Sequence, residues 1–288
     1  MTRGAFLIVI GASVLGSVAA AARFAAARDL GVDLSHFQGE SGVSQANWNQ
    51  LAAEGRTFAF IKATEGLNPP GNIDITWPTN VQRATTAGIL NGVYHFARPD
   101  NRPNVAGAVA EADHFVNTAG AAMDPGHLRP VLDLEVKSST QTGTTLTDWV
   151  VAFNDEVVRL KGAGAEPIIY TGGGFANLMD SRVAAYDLWL VQQTNPADPT
   201  TANPSAANTG SFGDWAFWQY SGNGSAGGIS PIDLDVVHTE SHPLSSFVIV
   251  PEPASAALLC AAVACAATPR RRRGGQSGLR ATRILTAP

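Results

Sequence analysis

The stretch Arg129-Pro130-Val131-Leu132-Asp133-Leu134-Glu135-Val136 decides how this 288-residue chain is read. A proline opens it, apolar residues follow, and two acids separated by a single leucine close it. Strand side chains alternate between faces, so Asp133 and Glu135 point the same way from an otherwise core-like strand. Two carboxylates on one face repel each other and raise one pKa. A protonated acid beside an ionised partner is what cleavage of a glycosidic bond requires.

Two further apolar runs carry acids. Asp33 follows Leu30-Gly31-Val32, and Asp233 and Asp235 lie in Pro231-Ile232-Asp233-Leu234-Asp235-Val236. Carboxylates inside strands are costly unless paired. Each has a plainer reading. Asp33 can cap the turn before Ser35, Asp133 can pair with Arg129 or Lys137 at a surface, and one of Asp233 and Asp235 can simply hold a barrel seam. Three acidic strand ends spread over two hundred residues favour a shared cleft over three separate accidents.

Around these runs the chain alternates. Strands are predicted at 30–35, 58–62, 90–96, 130–135, 167–171, 188–192, 216–220 and 232–236, and helices at 46–54, 77–87, 104–118 and 146–160. Strand–helix alternation implies βα units around a parallel sheet or barrel. After Pro167 the helical stretches shorten or vanish, so the expected fold is an α/β, irregular (β/α) barrel of the TIM-barrel-like glycosidase type. In such a barrel the C-terminal strand ends meet at one mouth, and first, middle and last strands can deliver their acids there. Aromatic residues gather at the same strand ends. Tyr94, Tyr170, Trp189 and Trp218 are the candidates for stacking on sugar faces, with Asp235 and His95 as further substrate contacts.

Composition narrows the function. Residues 29–250 hold 23 Asp and Glu against 10 Lys and Arg, a balance of −13 that argues against a nucleic-acid partner. Both cysteines, Cys260 and Cys265, lie outside that body, which therefore has no thiol nucleophile and no disulfide. No Gly-x-Ser-x-Gly elbow is present, and Thr171-Gly172-Gly173-Gly174 lacks the spacing of a phosphate loop. No predicted helix carries a His-x-x-x-His pair and calcium-loop spacing is absent, so neither metal nor cofactor is expected. His36 and His95 are the histidines expected near the carboxylates, while His114, His127, His238 and His242 read as solvent-facing or structural.

The ends read as processing segments. Residues 1–28 combine a basic start, an apolar run and small residues at 19–22, the pattern of a secretory signal peptide and short leader. The body is expected over 29–242. Residues 243–288 are expected to form a linker, a Pro-Glu-Pro motif at 251–253, a short apolar helix over 254–267 and a basic tail with Arg270 to Arg273. An exported chain follows from this, extracellular or in the cell envelope, transiently membrane-anchored through a transmembrane helix shorter than a usual span.

Taken in order, several motifs resemble the Chalaropsis-type lysozymes, glycoside hydrolase family 25. They are Gly31-Val32-Asp33-Leu34-Ser35-His36-Phe37-Gln38-Gly39, Phe58 to Gly66, Ala87 to Arg98, Pro130 to Glu135, Pro167 to Thr171, Leu188-Trp189-Leu190, Phe217 to Ser221, and Gly228 to Asp235. The resemblance covers about residues 29–240. It implies that Glu135 is the general acid, Asp133 its close carboxylate partner, and Asp33 and Asp233 pocket acids. It also implies that the substrate is the β-1,4 bond between N-acetylmuramic acid and N-acetylglucosamine in peptidoglycan, cut by a monomer. The chain departs from the family pattern in two places: Asp235 stands where Asn is frequent, and where the family usually shows an aromatic shortly after the Asp of the second motif, Asp74 is followed by Ile75, Thr76 and Trp77, with Pro69-Pro70 before it. The tail resembles a Pro-Glu-Pro sorting signal recognised by an exosortase-type protease. A non-catalytic barrel that binds peptidoglycan or chitin is the alternative reading. A chitinase would need an Asp-x-x-Asp-x-Asp-x-Glu strand, which is missing.

Overall fold

Eight strands close into one barrel in sequence order, and each forms where the sequence alternates apolar and functional side chains. They are β1 (Leu30–Leu34), β2 (Arg56–Glu65), β3 (Leu90–Phe96), β4 (Val131–Asp133), β5 (Ile168–Gly172), β6 (Leu188–Val191), β7 (Phe217–Ala226) and β8 (Ile229–Val237). The computed structural model describes residues 27–67 and 73–251. The expected leader, the Pro69-Pro70 departure, both cysteines and the tail from residue 252 lie outside the described residues.

Strands β1 to β7 run parallel, whereas β8 runs antiparallel to both β7 and β1. The hairpin between β7 and β8 turns at Gly227-Gly228, where φ is +59° and +74°. Glycine reaches that region without the Cβ clash that penalises other residues. The turn docks on α1 (Gln45–Ala53). Asn47 Nδ2 donates to the Gly227 carbonyl at 2.8 Å, and the Gly227 N–H donates to Glu54 at 2.7 Å.

Four longer helices wrap the first half: α1, α2 (Trp77–Thr86), α3 (Val105–Ala119) and α4 (Gly143–Lys161). Side chains of Ser44, Asn104 and Thr142 cap α1, α3 and α4 by accepting the backbone N–H three residues on. Among the described residues beyond β5, the helices are α5 (Gly173–Leu178) and short 3-10 turns. The second half is thus irregular, as the sequence predicts. Among the described residues no helix is long and apolar enough to cross a membrane.

Strand alternation sorts the core into two layers. One set, including Phe58, Phe60, Val131, Ile168, Trp189 and Phe217, fills the barrel interior. The other set, including Val93, Leu132, Leu134, Ile169, Leu190 and Trp218, packs outward against the helices. Phe58, Phe60 and Phe217 meet edge to face at 5.2–6.0 Å between ring centres, and Trp189 lies 4.7 Å from Phe60. These rings form a solid floor at mid-barrel. Below them the base is sealed by residues the sequence reading assigned to a linker. The turn Leu244–Phe247 packs upward, Phe247 sits 4.6 Å from Phe217, and Leu244, Phe247 and Ile249 are buried. Backbone bonds join Ile249 to Gly126 and His127. The body therefore runs on to about residue 250, past the boundary expected at 242, because these apolar side chains plug the open end of the barrel.

Candidate active site

Above the aromatic floor lies a pocket of about 200 Å³. Asp33, Asp133, Glu135 and Asp233 line it, together with Tyr94, Tyr170, Trp189, Lys62 and Gln219. The strand period explains this set. On β2 the inward positions are Phe58, Phe60 and Lys62, so two floor rings are followed by a cation at the mouth. On β4 they are Val131 and Asp133, and Glu135 continues the same parity just past the strand end.

Asp233 arrives by a different route from the one expected. Because β8 is antiparallel, it comes from the middle of its strand rather than from a C-terminal end. Registration then sets Asp233 directly opposite Asp33 on β1. Like charges so placed repel. Burial, with the Glu135 charge added, pushes Asp233 up to about 6. Asp33 is raised well above the usual carboxylate range by burial and by the Asp233 charge. A hydrogen bond from Gln219 Nε2 at 2.8 Å partly offsets that rise, and Gln219 in turn accepts from the Tyr170 hydroxyl at 3.1 Å.

Asp133 and Glu135 divide their labour by depth. Asp133 is 6% exposed, and burial followed by the Glu135 charge raises it strongly. Glu135 lies at the open mouth. Partial burial raises it, while the neighbouring Asp133 carboxyl and the nearby Lys62 charge pull it back. Lys62 itself is tied to Glu65 at 2.7 Å, and Glu65 to Arg98 at 3.0 Å.

Three residues expected at the cleft are placed elsewhere. Trp218 points outward between the inward-facing Phe217 and Gln219, fully buried, with its Nε1–H donated to the Gln192 carbonyl at 2.8 Å. His95 likewise points away from the barrel axis. Its Nε2 meets Glu111 on α3 at 2.9 Å and its Nδ1 meets Thr64 at 2.7 Å. Both have the wrong parity for the cleft, since Tyr94 and Gln219 hold the inward positions. Asp235 has the right parity but lies one step too deep. It is fully buried among the floor rings and accepts from Trp189 Nε1 at 3.0 Å. His36 stays near the rim, bonded to Asp74 at 3.0 Å. Gln219 and Lys62 are cleft residues that the sequence reading missed, although counting by twos along β7 and β2 finds both.

An eight-stranded (β/α) barrel with acids from its first, fourth and eighth strands around an aromatic-floored hollow has the architecture of the TIM-barrel-like glycosidases. Residues 32–229 match the profile of glycosyl hydrolases family 25, and the chain belongs to that family. It is similar to Lysozyme M1 of Streptomyces globisporus, 33% identical over 213 residues, which take in 69% of this chain and 64% of that protein. It is also similar to the Autolytic lysozyme of Clostridium acetobutylicum, 29% identical over 198 residues, 68% of this chain and 53% of that protein. The chain thus spans less than two thirds of these curated relatives. Among solved structures, the bacterial lysozyme from Streptomyces coelicolor superposes with a TM-score of 0.61 at 30% identity, covering 76% of this chain and 96% of that one.

Proposed function

We propose that this chain is a lysozyme, an N-acetylmuramidase that hydrolyses the β-1,4 bond between N-acetylmuramic acid and N-acetylglucosamine in peptidoglycan. The observation that carries the proposal is the meeting of Asp33, Asp133, Glu135 and Asp233 in one pocket. Family membership and the similarity to two named lysozymes support it.

In the proposed reaction Glu135 protonates the leaving glycosidic oxygen as the C1–O bond breaks. Asp133 passes its proton to Glu135 and becomes the carboxylate that steadies the oxocarbenium-like centre. Of the two routes open from there, direct attack by water or prior attack by the substrate's own acetamido oxygen, the family resemblance favours the second. Asp133 is then positioned to hold the substrate's own acetamido group, whose oxygen attacks C1 before water completes hydrolysis with retention. Asp33 and Asp233 supply negative potential at the same centre, and Tyr94, Tyr170 and Trp189 give the ring an apolar wall.

Glu135→Gln is expected to abolish turbidity clearing of purified cell walls while leaving the circular dichroism spectrum unchanged. Normal clearing by that variant would overturn the assignment. Proton NMR of a defined glycan during the first turnovers checks the stereochemistry, and the β-anomer should form first.

The finer assignments rest on the sequence. The ordered motifs support a Chalaropsis-type lysozyme acting as a monomer. The basic-apolar start supports a signal peptide and secretion. The Pro-Glu-Pro, apolar and arginine sequence supports a C-terminal sorting signal that meets a sorting protease at the membrane. Fractionation of the producing cells, followed by mass measurement of the mature chain, tests both ends.

A further inference from the structure

The base of the barrel, away from the pocket, gathers a second group of polar side chains. Asp214 precedes β7, Asp187 precedes β6, and His238 and His242 follow β8, whose antiparallel course ends at the base. His238-Thr239-Glu240-Ser241-His242 has the His-x-x-x-His spacing outside any predicted helix, and the His242 N–H donates to the His238 carbonyl at 2.8 Å, closing one helical turn. Asp214 Oδ1 lies 3.5 Å from His238 Nδ1, and its Oδ2 lies 3.5 Å from His242 Nε2. One ligand atom from each of the three falls within 4.8 Å of the others.

These separations are longer than a good N–H···O bond. Asp214 reaches the two imidazoles through different oxygens, so binding an ion through one atom of each residue draws the set in from within 4.8 Å toward the edge of a tetrahedral sphere, about 3.4 Å for metal–ligand bonds of about 2.0–2.1 Å. A second carboxylate backs each imidazole. Asp187 Oδ1 stands 3.7 Å from His242 Nδ1, and Glu240 Oε2 stands 4.0 Å from His238 Nε2. Neither distance is a hydrogen bond; a carboxylate behind a metal-bound histidine closes on the outer N–H and leaves the inner nitrogen to the ion. Asp187 is anchored by Arg129 at 2.7 Å and Glu240 by Arg28 at 2.9 Å, so the backing groups are themselves fixed. The His238 ring is stacked on Trp215 at 4.4 Å and 6°.

We propose that Asp214, His238 and His242 form a site for a divalent transition-metal ion of the Zn²⁺ class, clamping the loop before β7 to the segment after β8. His238 Nδ1 now donates to the Trp215 carbonyl at 3.1 Å. The ion takes the place of that proton, which moves to Nε2 facing Glu240. Two imidazoles and one carboxylate select a borderline ion over Mg²⁺ or Ca²⁺, which take all-oxygen sets. The ion acts as a staple at the seam of the barrel and takes no part in the hydrolysis, which occurs at the other end.

The test uses the purified full chain, stripped with a chelator and then titrated with Zn²⁺, Co²⁺ or Mg²⁺. Calorimetry should show a single saturable equivalent of Zn²⁺. Melting should rise by about 5–10 °C at an excess of about a hundredfold over Kd. Mg²⁺ should give no such rise. His242→Gln should lose the rise while clearing cell walls as the parent does without added ion, which shows that it is folded. Glu135→Gln should keep the rise, which separates this site from the pocket acids. No saturable response to Zn²⁺, an equal response to Mg²⁺, an undiminished rise in His242→Gln, or its loss in Glu135→Gln overturns the proposal.

Discussion

Asp235 shows how a single side chain sets a cost on the fold. Burial, followed by the Asp33 and Asp233 charges, holds its carboxyl well above the usual range, as it does for Asp33 and Asp133. A carboxyl whose folded pKa is raised binds its proton more tightly in the native state. Its favourable contribution is therefore complete below the unfolded pKa, near 4, and is lost as pH rises through the folded value. Asp235→Asn keeps an oxygen for Trp189 Nε1 without an ionisable group. It is expected to melt above the parent at pH 7 and close to it at pH 4. Equal melting differences at the two pH values would contradict this account. Asp233→Asn follows the same sign, with its gain appearing between about pH 4 and the folded value of about 6. Asp74 behaves oppositely. Burial alone would raise it, but hydrogen bonds from Thr76 and His36 outweigh that and lower it, so it anchors the loop above β1 as an anion.

At the scale of elements, the inside–outside alternation of strands explains both what the sequence disclosed and what it hid. Asp33, Asp133, Glu135 and Asp233 were legible because acids stand out in apolar runs. Trp218 and His95 were misplaced because an aromatic or histidine beside a functional residue looks like part of the site, whereas its neighbour's parity sends it outward. The His95–Glu111 pair instead binds β3 to α3, both side chains essentially without solvent. Glu111→Ala is expected to cost about 3 kcal/mol in urea unfolding, by leaving His95 without its buried partner. Clearing activity per folded molecule should stay near the parent's, and a selective loss of kcat would return His95 to the chemistry. Gly31 poses a steric limit within β1, since a Cβ there would stand 2.3 Å from the Phe58 ring. Gly31→Ala should destabilise by about 1–3 kcal/mol through displacement of the aromatic floor, read by the same unfolding curves. The antiparallel course of β8 was not legible. The short Gly227-Gly228 turn was its one local sign, and eight strands in order suggested a uniform parallel barrel.

For the whole molecule, the base plug decides where the folding unit ends. A chain stopped at residue 242 loses buried Leu244, Phe247 and Ile249. Burial of three such side chains is worth more than about 4 kcal/mol, so this truncation should fall far in melting temperature, while one stopped at residue 250 should match the full chain. Sequence could not mark this limit, because Pro243 to Pro253 reads as a linker and the partners of its first part, Phe217, Gly126 and His127, are distant in the chain. Its packing explains how both ends of the body come to leave from one side. β1 starts at the base, and Ile249 is fastened there beside the segment that leads into β4. Attached to a support through either terminus, the molecule would stand with its opening turned outward, free to work on polymer arriving from the far side and turned away from whatever it is mounted on.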